Sequence, residues 1–151
     1  MATDQINARD WIFEISDGAG TPAWLPISGV KKFSLKLSEN EESTDTTVFE
    51  SGGEHESQAM QRGAAMDIEG KMILTEADVR DPGQARVEAC GLLKGEASLI
   101  DFRFRHQVQE DWTVWEGWVS LGEKGGENND KTSFAFTITK SGPASTVPVT
   151  P

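Results

Sequence analysis

The sequence predicts a mainly β fold, a two-sheet sandwich or partial barrel flanked by one α-helix. Three observations carry this reading. Apolar residues recur at every second position in five separate segments, the period of a strand with one buried face. A further segment, Trp112 to Leu121, is apolar on both faces. Only one stretch combines helical spacing with start and stop signals.

In chain order, Trp11, Phe13 and Ile15 alternate with Ile12 and Glu14. A Gly-rich turn from Asp17 to Pro22 leads to a short segment at Trp24 and Leu25. Phe33, Leu35 and Leu37 alternate with Ser34, Lys36 and Ser38. The next strand is expected from Met66 through Ile68, Met72 and Leu74, with Asp67, Glu69, Lys71 and Ile73 between. Ile100, Phe102 and Phe104 alternate with Asp101, Arg103 and Arg105. Phe134, Phe136 and Ile138 alternate with Ser133, Ala135, Thr137 and Thr139. The candidate core is Phe13, Phe33, Met66, Ile68, Leu92, Phe102, Phe104, Trp118, Phe134 and Phe136.

In Trp112–Leu121, one face carries Trp112, Val114, Glu116 and Trp118, and the other Trp115, Gly117, Val119 and Leu121. Either a helix covers the far side of a central strand, or another subunit covers part of one face. For the helix, Asp81 can cap, Pro82 suits the first helical position and Gln84 completes a capping-box-like spacing. Ala85, Ala89, Leu92 and Leu93 then share a face, and Gly95 is the expected stop. Between strands, residues 39–62 show no sustained period and are rich in Glu, Ser, Thr and Gly, a length that is usually functional or disordered. The Pro-bearing tail, residues 143–151, is expected to be extended and irregular, outside a single domain of residues 1–142.

Composition excludes several function classes. With 25 acidic against 14 basic residues the formal charge is −11, the wrong sign for gripping phosphates. Five Trp and seven Phe point to a well-filled sheet interior or to buried contact surfaces. Cys90 is the only cysteine, so no internal disulfide is possible. The first residues lack the basic-then-apolar order of a secretory signal, and no apolar run approaches a membrane span, so folding in a cytoplasm with no membrane anchor is expected.

No constellation of catalytic or metal-binding residues emerges. His55 stands between Glu54 and Glu56 in the acidic loop, and His106 ends a strand; neither has ligands at metal spacing. No Gly-x-Ser-x-Gly elbow occurs, and Cys90 lies among apolar helix residues where a thiol is inert. Gly122–Gly126 lacks the Gly-Lys-Ser/Thr ending of a phosphate loop and reads as a hairpin turn. The reading is therefore non-enzymatic, with no cofactor and no metal.

An ordered set of segments supports a more specific reading. It comprises Trp24-Leu25-Pro26-Ile27-Ser28-Gly29-Val30, the acidic stretch ending Asp45-Thr46-Thr47-Val48-Phe49-Glu50-Ser51-Gly52-Gly53, and Gln61-Arg62-Gly63 before the Met66 strand. It continues with Asp81-Pro82-Gly83-Gln84-Ala85, Trp115-Glu116-Gly117-Trp118-Val119-Ser120, the Phe134–Thr139 strand and Gly142-Pro143. In this order the chain resembles the major tail (tail tube) proteins of long-tailed bacteriophages. The resemblance implies a virion subunit that forms hexameric rings stacked into a tube for genome ejection, built in the host cytoplasm. It also implies tape measure, tail terminator and baseplate or tail-tip partners, with DNA passing unbound.

It further implies that residues 39–62 are a long hairpin loop that orders on an adjacent ring. The candidate contacts there are Glu41, Glu42, Asp45, Thr46, Thr47, Phe49, Ser51, Gly52, Gly53, Gln61 and Arg62. Six copies at −11 each would carry −66, of which an inward share would repel DNA. Either the face with Ser133, Ala135, Thr137 and Thr139 or the one with Ser34 and Lys36 is small and polar enough to line a channel. The alternatives are another phage ring component, such as a tail terminator or baseplate protein, or a monomeric sandwich that binds carbohydrate or protein on an exposed Trp platform.

Overall fold

The computed structural model describes residues 4–18, 23–75 and 78–149. Residues 19–22 of the expected Gly-rich turn and residues 150–151 of the tail lie outside the described residues. The strands are β1 (Trp11–Ser16), β2 (Trp24–Pro26), β3 (Val30–Lys36), β4 (Glu42–Asp45), β5 (Ser57–Gln61), β6 (Ala65–Lys71), β7 (Ile100–His106), β8 (Asp111–Leu121), β9 (Ser133–Lys140) and β10 (Ser145–Pro148), with helix α1 (Pro82–Cys90) between β6 and β7.

Seven strands form one antiparallel sheet in the order β2-β1-β7-β8-β9-β6-β3, and β10 joins β8. The two layers expected of a sandwich are two halves of this sheet folded face to face. Phe33 of β3 lies 5.4 Å from Trp11 and 5.1 Å from Phe13 of β1, ring centre to ring centre, although β1 and β3 are far apart in sheet order. The long strand β8 joins the halves. Its Thr113–Gly117 stretch pairs with β7, its Gly117–Leu121 stretch with β9, and its first residues with β10.

The alternation in sequence becomes the core. Phe13, Met66, Ile68, Phe102, Phe104, Phe134 and Phe136 are buried, and Phe33 is half-buried against them. Each fully buried Phe stabilises the fold by about 1.5–3 kcal/mol relative to exposure. Trp118 is a correction: it is 43 % exposed, because Gly117 and Val119 take the inward positions and strand parity turns Trp118 out.

Leu92 is a second correction, at 77 % exposed. The helix buries Gly83, Gln84, Val87 and Cys90, not Ala85, Ala89 and Leu92, and it ends at Cys90 rather than running to Gly95. Close packing selects this face. Gly83 lies against the Pro26 carbonyl with no room for a Cβ, and Gly91 lies against the Leu121 side chain in the same way. The Asp81 side chain caps the helix by accepting from the Gln84 backbone N–H at 3.2 Å. Gln84 does not reach back to complete a capping box. Its buried side-chain amide donates to the Ser28 carbonyl (2.6 Å) and the Lys71 carbonyl (2.9 Å) and accepts from the Ile73 N–H (3.1 Å). That last bond ends β6 at Lys71, short of the expected Leu74, by diverting the backbone toward the helix.

The tail also departs from expectation. Ser145–Pro148 forms β10 along the open side of β8, in register from Ser145↔Val114 to Pro148↔Asp111. Proline is tolerated because β10 is an edge strand and Pro148 is its last residue.

Candidate functional site

Among the described residues no group of three or more His, Cys, Asp or Glu is placed to hold a metal. The features that protrude or lie open are an arm, a polar sheet face and an apolar rim.

The arm is residues 39–62. Strands β4 and β5 pair antiparallel from Asp45↔Ser57 to Glu42↔Gln61, with a bulge between Glu42 and Ser43. Every residue of both strands is exposed, which is why no period marks them in the sequence. At the root Arg62 pairs with Glu41 at 3.2 Å and the Gln61 amide donates to the Asn40 carbonyl at 2.6 Å. At the tip the Thr47 N–H donates to Asp45 Oδ1 (2.8 Å), and the Thr47 hydroxyl both accepts from the Glu56 N–H (2.9 Å) and donates to its carbonyl (3.2 Å). These bonds to Thr47 hold the Asp45 carboxyl below the usual carboxylate range. Ser51 Oγ donates to Glu56 Oε2 (3.0 Å) and accepts from the Val48 N–H (3.0 Å). Gly52 and Gly53 close the turn at φ 66° and 86°, a left-handed geometry that suits glycine. The bonds that shape the hairpin all lie within one chain. His55 points its Nδ1 at Asp45, 4.0 Å away, in a solvated setting.

All the candidate loop residues, from Glu41 and Glu42 through Asp45, Thr46, Thr47, Phe49, Ser51, Gly52 and Gly53 to Gln61 and Arg62, lie on this arm. Thr46 closes the ladder beyond β4, its N–H donating to the Glu56 carbonyl at 3.0 Å. Phe49 stands at the tip with its whole side chain in solvent (102 % exposed), and Val48 and Met60 are also exposed.

The polar face unites two sequence patterns that were separate candidates for a channel lining. Register places Lys36, Ser34 and Lys32 of β3 beside Ala65, Asp67 and Glu69 of β6, and these beside Thr139, Thr137 and Ala135 of β9. Asp67 is the centre of this face. It accepts from the Thr137 hydroxyl (2.6 Å) and pairs with Lys36 (2.9 Å); both hold its carboxyl low, Thr137 first. Nothing in the sequence alone marked Asp67, because its partners come from two distant strands.

The corresponding face of the other half is closed off by the chain itself. The Arg103 guanidinium lies between the Trp24 and Trp112 rings at 4.3 and 4.1 Å from their centres, and Arg105 covers Trp112 at 4.8 Å. Arg103 Nε also donates to Glu14 at 2.7 Å. Trp112 and Trp115 are buried, and Trp11 and Trp24 are partly buried. Trp118 is the most exposed of the five.

The apolar rim surrounds the C-terminal end of β8. Among the described residues no strand pairs with β8 on its β7 side beyond Ile100↔Gly117. Here Leu121, Leu92, Leu93 and Leu99 are all at least one-third exposed, whereas Trp118, beside Thr139 in register, is exposed on the opposite, polar face. The sequence placed the helix leucines inward, and the close approaches of Gly83 to Pro26 and of Gly91 to Leu121 turn them out.

No family model and no curated protein matches the chain. Solved structures do. The tail of an empty gene transfer agent (GTA) particle, refined with C6 helical symmetry, aligns at TM-score 0.62 and 19 % identity over 92 % of this chain and 96 % of that one. The virion of a native GTA particle aligns at 0.64 and 17 % identity, over 93 % and 98 %. The SPP1 tail tube aligns at 0.65 and 12 % identity, over 96 % and 80 %. At such identities the shared property is the fold. This chain has the fold of a phage tail-tube subunit.

Proposed function

We propose that the chain is a structural subunit that assembles into hexameric rings, and that the rings stack into a tail tube through which a genome leaves its capsid. The observation that carries this reading is the near full-length match to a tail with C6 symmetry. The open surfaces of the chain supply the physical means. A head-to-tail contact that closes on itself makes a ring, and a second contact that does not close makes a filament. The outer edge of β3 and the unpaired side of β8 beyond Gly117 bound the same half-sheet, so copies can join edge to edge into one continuous barrel. That junction would cover Trp118 and complete the second reading of the Trp112–Leu121 pattern.

In this reading the face of β3, β6 and β9 lines the bore. Its charged residues are Lys32, Lys36 and Lys71 against Asp67 and Glu69, three against two, with Lys36 and Asp67 paired. A nearly neutral, hydroxyl-rich wall offers phosphates little to grip, and the acidic excess of the chain lies elsewhere. Tape measure, terminator and baseplate or tail-tip proteins are the expected partners within the virion, with assembly in the host cytoplasm. Electron microscopy and sedimentation of the purified protein at rising concentration test the reading. Tubes or stacked rings are expected, and a monomer at every concentration overturns it.

A further inference from the structure

The arm tip and the apolar rim are complementary, and no intramolecular contact uses both. Phe49 is fully exposed on a tip whose backbone is fixed by Thr47, Ser51 and Glu56, so presenting the ring costs little ordering entropy. The arm strands make their extensive contacts only with each other, and the run from Glu42 to Phe49 reaches about 20 Å at the strand rise of ~3.3 Å per residue. A fully exposed aromatic at the end of such an arm is suited to another molecule.

Apart from the turn at Leu74 and Val79, which carries Asp78, two exposed apolar places could receive it. One is the cleft around Ile6 and Val108, but Asp4 and Asp10 line that cleft and would repel the acidic tip, which carries Glu50 and Glu54. The other is the patch where Leu121 packs on Gly91 beside Leu92 and Leu93. Lys94 follows that patch and has no ion-pair partner among the described residues, while Glu88 nearby is neutralised by Arg80 and Lys124. Charge decides between them.

We propose that Phe49 of one copy docks on the Leu92–Leu93–Leu121 patch of another, with Glu50 facing Lys94. The contact is heterologous, so each copy offers one knob and one socket and the chain of contacts need not close. The inference deepens the tube reading by naming both sides of one contact, and it depends on that reading.

The test is a paired cysteine variant, Phe49→Cys with Leu92→Cys, made in the full chain. Both positions are exposed, and Cys90 is buried and stays silent. Mild oxidation of the assembled protein should give a ladder of covalent multimers on a denaturing gel, and either single variant should stay monomeric, having no thiol opposite its own. In parallel, Phe49→Ala should melt like the parent and lose tubes. Tubes without a ladder, or tubes from Phe49→Ala, overturn the contact while the tube reading stands. A parent protein that never assembles overturns both.

Discussion

The sandwich and the arm are held together by opposite means. In the sandwich, Phe102, Met66, Ile68 and Ile138 are fully shielded from water, and apolar burial supplies the stability. In the arm no strand residue is buried, and short polar bonds around Thr47 and Glu56 fix the shape. A hydrogen bond in water contributes only about 0.5–1.5 kcal/mol net, so such a hairpin is a low-stability unit attached to a self-sufficient one. Its apolar residues, Phe49, Val48 and Met60, add nothing to the fold that carries them. The comparison teaches that the sandwich satisfies itself, whereas the arm is complete in geometry and incomplete in burial.

Substitution in the centre of the sandwich should break it. Phe102→Ala removes a ring with no exposed surface that contacts both Phe13 and Phe104. A loss of about 3–5 kcal/mol is expected, read from chemical denaturation. By contrast, deleting residues 41–58 should leave the melting temperature within a degree or two of the parent, about 0.5 kcal/mol or less, because no buried residue is removed. Tubes should vanish under the microscope. An arm deletion that unfolds the sandwich would show that the two regions are not separable.

A smaller core effect is expected at Cys90. The thiol is buried, and burial pushes its pKa up, as for a group that stays neutral. Cys90→Ser puts a hydroxyl where a thiol is shielded, at about 1–3 kcal/mol, and should leave assembly of the folded fraction unchanged. Loss of tubes at full stability would instead place Cys90 in an interface.

Acid should act on the sandwich through Glu88. Its carboxylate bridges Arg80 (2.5 Å) and Lys124 (2.6 Å), tying the helix to the loop before β9. The Arg80 hydrogen bond first, and Lys124 after it, hold the carboxyl down at about 2 from an ordinary 4.5. A depressed pKa stabilises the folded state above the ordinary value, and this contribution is lost as pH falls through 4.5 toward 2. Glu88→Gln should therefore lower the melting temperature at pH 7 and flatten its decline over that acid window. Melts of both proteins across the window check this, and parallel declines would rule out the linkage.

What could be read in the sequence follows the same division. Alternation is local, so the half-buried sandwich strands and most of the core are legible in the sequence. Trp118 and Leu92 were misplaced because type was taken for position: parity turns Trp118 outward, and Gly83 and Gly91 select the helix face that leaves Leu92 in solvent. The C-terminal strand was hidden by its prolines, because its pairing depends on an open stretch of β8 far away in sequence. The arm is marked in the sequence by its length and missing period, and its contact residues only by an ordered resemblance. A hairpin with no buried face leaves no period to detect. The polar face, with Asp67 between Lys36 and Thr137, needs three strands in register and could not be found along one segment.

The finest test of the comparison lies at Gly52. Its φ of 66° is left-handed, and an added Cβ would meet nothing within 4 Å, so Gly52→Ala changes only backbone strain. That strain is about 1–2 kcal/mol. In a unit cooperative with the sandwich, it would lower the global melting point by several degrees. In an independent arm it should leave the melt unchanged and speed amide exchange at Thr46 and Glu56 about tenfold or more, since ~1.4 kcal/mol is a factor of ten in an opening equilibrium. Assembly should weaken in proportion, because a tip that opens more often presents Phe49 less often in its docking pose. Faster exchange with unweakened assembly would mean that the geometry of the tip is irrelevant to its partner.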